Sequence, residues 1–123
     1  MILLDTSVWV DHLRRSDPLV VRVLESGQAA THAFVIGELA CGNLKARALL
    51  IELLRALPHL AMAEDDEVLY FIERHQLMGR GIGYVDAHLL AAAAIAGSVL
   101  WTRDKRLRAM AMELSIAFVE AEQ

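Results

Sequence analysis

The chain begins with an apolar run that leads directly into a carboxylate. Residues 2–4 are consecutive large aliphatic side chains, Asp5 follows them at once, and two hydroxyl side chains, Thr6 and Ser7, come next. An uninterrupted apolar run of this length is typical of a strand covered on both faces, as in a parallel sheet between layers of helices. The sequence therefore predicts a buried first strand that delivers Asp5 to the edge of a sheet.

Beyond this run, strand-like and helix-like segments alternate along the chain. The predicted segments are strands at residues 28–31, 59–63, 98–102 and 116–119 and helices at residues 7–14, 18–26, 34–41, 45–57, 65–77, 84–96 and 104–114. Such alternation implies a mostly parallel sheet with helices on both sides. The 123 residues suffice for one domain with a sizeable core. The predicted fold class is α/β: a single domain, residues 1–123, with three α/β/α layers around a sheet of four to five strands.

Composition and cysteine content narrow the class of protein. The chain is 56% hydrophobic with a net charge of −4, which favours a folded protein and argues against a basic nucleic-acid coat protein. The single cysteine, Cys41, excludes an internal disulfide and is expected to pack as a small apolar residue in a reducing compartment. The N-terminal run lacks the basic region of a signal peptide, and the apolar window at residues 85–101 contains Asp86 and His88. We therefore expect a cytoplasmic protein without a membrane span.

Two carboxylates follow predicted strands. Asp5 ends the first strand, and Asp104 comes two residues after the strand at residues 98–102. In open parallel sheets, ligands bind in the crevice beyond the carboxyl ends of the strands. If these two strands are neighbours, Asp5 and Asp104 share that crevice. The alternative is that each aspartate only caps the helix that follows it.

Two further carboxylates interrupt apolar helix faces. Glu38 and Asp86 each have apolar neighbours one turn away on the same face, which predicts that both side chains point inward. A buried carboxylate costs several kcal/mol unless it is paired or bound to a metal. Buried salt bridges are the alternative explanation, and the candidate basic partners are Lys45, Arg80 and Arg103.

Together the four acids predict a metal site. Oxygen ligands alone select hard cations such as Mg²⁺ or Mn²⁺, and the five histidines show no ligand spacing for zinc. Such a site polarises a phosphodiester and lowers the pKa of a bound water. The hydroxyls of Thr6, Ser7 and Thr102 lie beside the acids and could support a carboxylate, a water or a phosphate, or cap helices. The predicted catalytic and metal-binding residues are Asp5, Glu38, Asp86 and Asp104.

Four segments carry a resemblance to a known family. LDTSVW at residues 4–9, VIGEL at 35–39, DAHLLA at 86–91 and WTRD at 101–104 resemble, in this order, the motif blocks of PIN-domain ribonucleases, especially the VapC toxins of VapBC type II toxin–antitoxin pairs. Asp5, Glu38, Asp86 and Asp104 match the acidic quartet of that family, and Thr102 matches an associated hydroxyl.

This resemblance implies a PIN-like fold and an endoribonuclease that depends on Mg²⁺ or Mn²⁺. It further implies RNA cleavage that inhibits translation, neutralisation by a cognate VapB-type antitoxin, and a homodimer.

Two other classes of function are open to the same residues. Another magnesium-dependent phosphoryl-transfer enzyme could use Asp5 as a nucleophile. A haloacid-dehalogenase-type phosphatase, however, needs a second aspartate two residues later, where this chain has Ser7, and a receiver domain needs a lysine at a later strand end. A non-enzymatic α/β interaction module with purely structural carboxylates is the other alternative, and metal binding would distinguish it.

Overall fold

The computed structural model describes residues 1–120, which contain three strands and seven helices. In chain order these elements are β1 (Ile2–Leu4), α1 (Thr6–Arg14), α2 (Pro18–Glu25), β2 (Ala29–Ala30), α3 (Ala33–Ala40), α4 (Arg47–Ala56), α5 (Asp65–His75), α6 (Tyr84–Ala96), β3 (Val99–Trp101) and α7 (Lys105–Glu113). Each predicted helix is present with ends close to those expected, because apolar periodicity and end signals agree along most of the chain.

The sheet is parallel and has the strand order β2-β1-β3. All three residues of β1 are buried, and successive side chains of a strand point to opposite faces, so helices cover the sheet on both sides. The predicted α/β/α layering is thus confirmed. Leu4 is paired with Trp101, so β1 and β3 end together and release the chain at the same sheet edge.

The predicted sheet of four to five strands was wrong, because it has three. The segments predicted as strands at 59–63 and 116–119 each form one isolated parallel bridge, Thr31 with His59 and Leu100 with Ala117. Adjacent residues of a strand direct their N–H and C=O groups to opposite sides. Val99 and Trp101 bond towards β1, which leaves Leu100 as the one residue of β3 that bonds outward, to residues 116 and 118. So short a strand cannot support a full-length neighbour.

Two tryptophans anchor the segments on either side of this edge. Trp9 of α1 and Trp101 of β3 are both fully buried in the main core. Trp101 also packs against Phe118, with 4.7 Å between ring centroids. A buried tryptophan removes roughly 150–250 Å² from water, so these two residues fix the chain immediately after Asp5 and immediately before Thr102.

Cys41 differs from its predicted environment. It is exposed at the C-terminal end of α3, where it is the C-cap residue and not part of the core. The apolar window at 85–101 does form a mainly buried helix followed by a strand, as predicted. Within residues 1–120 no helix combines the length and apolarity needed to cross a bilayer.

His32 at the start of α3 makes folding sensitive to acid. Its side chain is fully buried, and Nδ1 accepts a hydrogen bond of 3.0 Å from the backbone N–H of Phe34, which requires an unprotonated Nδ1. Burial, with smaller contributions from His88 and His59, lowers the pKa of His32 from 6.5 to about 4. Between these pH values the unfolded chain binds a proton that the folded chain does not, so stability is lost as the pH falls.

We predict that His32→Asn flattens this pH dependence. Asparagine is a strong N-cap that can still accept from Phe34 but does not titrate. The pKa difference corresponds to roughly 3 kcal/mol, which wild type should lose on acidification through this range and the variant should largely keep. Urea denaturation from pH 7 to pH 4 measures this, with the exposed His75→Asn as the matched control. Equal acid sensitivity of His32→Asn and wild type would contradict the assignment.

Candidate active site

Asp5 lies in a cradle of hydroxyl groups at the carboxyl end of β1. Thr102 Oγ1 donates to Oδ2 at 2.6 Å, and Ser7 Oγ donates to Oδ1 at 2.5 Å. The backbone N–H of Ser7 also donates to Oδ1 at 3.0 Å, which makes Asp5 the N-cap of α1. Only 6% of the residue is exposed. Both carboxylate oxygens are therefore held in a fixed orientation at the sheet edge.

The two hydroxyls connect Asp5 to the segment that follows β3. Ser7 Oγ accepts from the backbone N–H of Arg103 at 2.9 Å, and Thr102 Oγ1 accepts from the backbone N–H of Asp104 at 3.1 Å. Each hydroxyl thus donates to Asp5 and accepts from the β3–α7 segment. The predicted proximity of Asp5 and Asp104 follows from this network, since it joins the residues after neighbouring strands.

Burial dominates the protonation of Asp5. It raises the pKa of the carboxyl above its ordinary value of 3.8, and the hydrogen bonds from Ser7 and Thr102 offset that rise in part. A desolvated carboxylate favours the neutral form unless a positive charge lies nearby. Asp5 therefore carries charge that the protein does not neutralise.

Glu38 reaches the same region, but not as predicted. Its side chain on α3 is exposed and does not point into the core. Thr6 Oγ1, at the start of α1, donates to Glu38 Oε1 at 2.8 Å, so the residue next to Asp5 in sequence holds this second carboxylate. The apolar face of α3 is formed by the buried Val35 and Leu39. An exposed Glu38 needs no buried partner, so the argument from desolvation cost was wrong for this residue.

Asp86 is half-buried in the first turn of α6. Its Oδ2 accepts from the backbone N–H of Gly83 at 3.3 Å. Burial raises the pKa of Asp86, and the negative charges of Asp104 and Asp5 raise it further. These charge effects show that Asp86 faces the edge from which the other two aspartates emerge.

Asp104 is exposed and is the N-cap of α7, where Oδ1 accepts from the backbone N–H of Leu107 at 2.9 Å. The capping role that was the alternative for Asp5 and Asp104 is therefore real for both residues. It leaves Oδ2 of Asp104 without a hydrogen bond to residues 1–120. Capping fixes these carboxylates beside one another and does not exclude a second role.

Salt bridges do not explain the four acids. Within the described part of the chain, none of Asp5, Glu38, Asp86 and Asp104 pairs with a basic side chain. Arg80 pairs with Glu113 instead, at 2.8 Å. The salt-bridge alternative for Glu38 and Asp86 was therefore wrong.

The donor set fits a hard divalent cation. All the side-chain donors are oxygens, and Asp5 and Asp86 have raised pKa values because their charge is uncompensated. In residues 1–120, no three His, Cys, Asp or Glu side chains already form a ligand group around one point. Simultaneous ligation therefore requires side-chain rotation, which Glu38 and Asp104 can undergo most easily because they are exposed.

Arg103 has a role that the sequence did not indicate. Predicted as a possible partner for a buried acid of the quartet, it binds instead to Asp11 at 3.1 Å, to Asp17, and to Glu120 at 3.0 Å. Its guanidinium also lies 5.5 Å from the centre of the Trp101 ring. These contacts hold the β3–α7 segment against α1 and the start of α2. Its position between Thr102 and Asp104 was the available signal.

Comparison with known proteins agrees with this architecture. The family model described as PIN domain matches residues 2–113. The chain therefore belongs to the PIN-domain family, as the four motif segments predicted.

Relatives narrow the family to its VapC members. The chain is 46% identical over 121 residues to Ribonuclease VapC32 of Mycobacterium tuberculosis, in strains CDC 1551 and H37Rv, and the match covers 98% of each chain. Among solved structures, PAE2754 from Pyrobaculum aerophilum superposes with a TM-score of 0.63 at 21% identity, covering 89% of this chain and 78% of that one. FitAcB from Neisseria gonorrhoeae gives 0.61 at 22% identity, covering 95% of each. These two structures support the fold, and the relatives confirm the predicted resemblance to VapC proteins.

We predict that Thr102→Val destabilises the protein more than Thr6→Val does. Both replacements remove a hydroxyl that donates to a carboxylate, but Thr102 serves the buried Asp5 and Thr6 the exposed Glu38. Leaving a buried acceptor unsatisfied costs about 1–3 kcal/mol, whereas solvent replaces the bond to an exposed one. Urea unfolding at pH 7 in EDTA measures both variants, and similar losses would contradict the proposed importance of the Asp5 cradle.

Proposed function

We propose that this chain is a VapC-type toxin, an endoribonuclease that uses Mg²⁺ or Mn²⁺ to cleave RNA phosphodiester bonds and thereby inhibits translation. The observation that carries the proposal is the buried, hydroxyl-bound Asp5 at a sheet edge, next to carboxylates that no basic side chain neutralises. The 46% identity to proteins named Ribonuclease VapC32 supports the same activity. We further propose that residues 1–123 form one domain.

In this proposal the four acids divide into fixed and adjustable ligands. Asp5 is held at both oxygens and Asp86 is half-buried, so these two define the position of a cation. Glu38 and Asp104 are exposed and complete the set. A bound Mg²⁺ or Mn²⁺ would polarise the scissile phosphodiester, lower the pKa of an attached water and neutralise charge on the leaving oxygen.

The hydroxyls have a supporting role in this proposal. Ser7 and Thr102 keep Asp5 in one orientation, so that little reorganisation is needed when a cation and a phosphodiester arrive. Thr6 restrains Glu38 on the same side. A carboxylate whose hydrogen bonds are already made cannot rotate away from the reacting phosphate.

The proposed partners follow from the relatives. We infer a cognate VapB-type antitoxin that neutralises the toxin, a homodimer, and a cytoplasmic location where RNA is available. A structural neighbour titled as FitAB bound to an IR36 DNA fragment, with a TM-score of 0.61 and full coverage of both chains, is consistent with such a pair.

Metal should stabilise the wild-type protein through Asp5 and Asp86. Addition of Mn²⁺ is expected to raise the melting temperature, because a ligand that binds only the folded state stabilises it by mass action. Asp5→Asn and Asp86→Asn should lose most of this increase. Without metal, Asp86→Asn should be at least as stable as wild type at pH 7, because its charge is unfavourable where its pKa is raised.

Differential scanning fluorimetry in EDTA and in Mn²⁺ makes this measurement. Glu52→Gln, which removes an exposed acid from α4, is the matched control and should respond to Mn²⁺ as wild type does. An equal response of Asp5→Asn, Asp86→Asn and Glu52→Gln would contradict the metal site.

Expression should arrest growth, and Glu38→Gln should relieve the arrest. The amide keeps the size of Glu38 and its contact with Thr6 but removes the charge that would hold the cation. We expect cleavage of total RNA by the purified variant to fall by at least ~100-fold, the size of effect seen when a transition-state charge stabiliser is lost. Growth curves and gel assays with Mn²⁺ test this, with Glu52→Gln as the control. Undiminished arrest and cleavage in Glu38→Gln would exclude its assigned role.

A further inference from the structure

A cavity of about 450 Å³ opens beside the acidic edge, and the proposed function does not yet use it. Its wall includes Thr102 and Arg103 of the β3–α7 segment, Lys105 and Arg108 of α7, and Glu120. Thr102 is the residue whose hydroxyl holds Asp5. One wall of the cavity is therefore part of the Asp5 cradle, and whatever occupies the cavity lies next to the acidic centre.

The charges in this cavity divide into a paired and an unpaired set. Arg103 donates to Glu120 from Nε and from one terminal nitrogen, at 3.2 and 3.0 Å, and its other contacts go to Asp11 and Asp17. Its charge is thus already compensated, and Glu120 is compensated with it. A second anion would have to displace these carboxylates to reach the guanidinium.

Lys105 and Arg108 are the unpaired charges. Both are exposed, and neither forms an ion pair with any residue of the described chain. They are three residues apart on α7, which places them on the same helix face. The cavity therefore presents two free cations, held on a rigid element, at the side of an acidic site.

A polynucleotide is the occupant that suits this arrangement. RNA carries a negative charge at every nucleotide, so whichever phosphate reaches the acidic centre brings a neighbouring phosphate one nucleotide away. The acids accept the first phosphate only with a cation, whereas Lys105 and Arg108 can bind the second directly. An acidic protein segment lacks this regular spacing, and its carboxylates would gain nothing from the adjacent centre.

We propose that the cavity between the β3–α7 segment and α7 is a phosphate subsite, in which Lys105 and Arg108 bind the RNA backbone next to the scissile phosphate. This inference rests on the proposed ribonuclease function and extends it to the path of the substrate. The contacts are to phosphate, so they supply affinity and register for single-stranded RNA without reading its sequence.

The test compares two double variants that lose the same net charge. Lys105→Gln/Arg108→Gln removes the subsite, and Arg22→Gln/Arg55→Gln removes two exposed cations from α2 and α4. Binding of a fluorescein-labelled single-stranded RNA is followed by anisotropy in EDTA, over a range of salt concentrations, so that cleavage does not contribute. Circular dichroism and thermal melting establish that both variants are folded.

We expect the subsite variant to bind RNA at least ~10-fold more weakly than wild type, with a log Kd against log salt slope reduced by about two, one for each lost phosphate contact. The control variant should stay close to wild type. In Mn²⁺, the subsite variant should cleave RNA with a raised KM and an unchanged kcat, because a contact made equally in ground and transition states affects binding alone.

Equal loss of affinity in both double variants would overturn the subsite, since it would show a general effect of net charge. Unchanged affinity in both would also overturn it while leaving the proposed function standing, provided that wild type cleaves RNA. A polyglutamate peptide that binds wild type as tightly as the RNA, and loses affinity in the subsite variant alone, would overturn the assignment to RNA. Failure of wild type to cleave RNA in Mn²⁺ would instead contradict the proposed function itself.

Discussion

The hydrogen bonds that Asp5 accepts from Ser7 and Thr102 hold the two ends of the chain together at the sheet edge. Thr102 lies 97 residues from Asp5, and its hydroxyl is one of two that link β1 to the segment after β3. A buried carboxylate would cost several kcal/mol without such donors. The same bonds that make the buried acid tolerable therefore position it, and they bring the backbone of Arg103 and Asp104 beside it.

The sequence predicted most of this arrangement because its signals are local. An unbroken apolar run identified β1, the helix ends were marked by Asp17 and Gly97, and strand-end acids follow from chain order in any parallel sheet. The number of strands could not be predicted in this way. Bridge or strand depends on how many outward N–H and C=O groups the neighbouring strand offers, and the patterns at 59–63 and 116–119 carry no information about that.

Glu38 and Arg103 show where sequence reasoning about side chains fails. Glu38 has apolar neighbours on either side, yet a small rotation of the short helix α3 buries Val35 and Leu39 and leaves the carboxylate in solvent. The expected inward direction was an artefact of assuming that every apolar neighbour is buried. Arg103 depends on contacts with Asp11, Asp17 and Glu120, which are far apart in sequence, so no spacing along the chain could reveal its partners.

The direction of the Arg103 side chain decides the electrostatics of the whole edge. It lies between Thr102 and Asp104, close enough for its backbone to join the Asp5 network, yet its guanidinium turns outward to three other carboxylates. Turned inward, it would lower the pKa values of Asp5 and Asp86 and occupy the position of a cation. Because its charge is compensated elsewhere, the acidic centre keeps raised pKa values and an unneutralised negative charge. The fold thus forgoes an internal salt bridge, and what it retains is a place where a divalent cation contributes more than an arginine would.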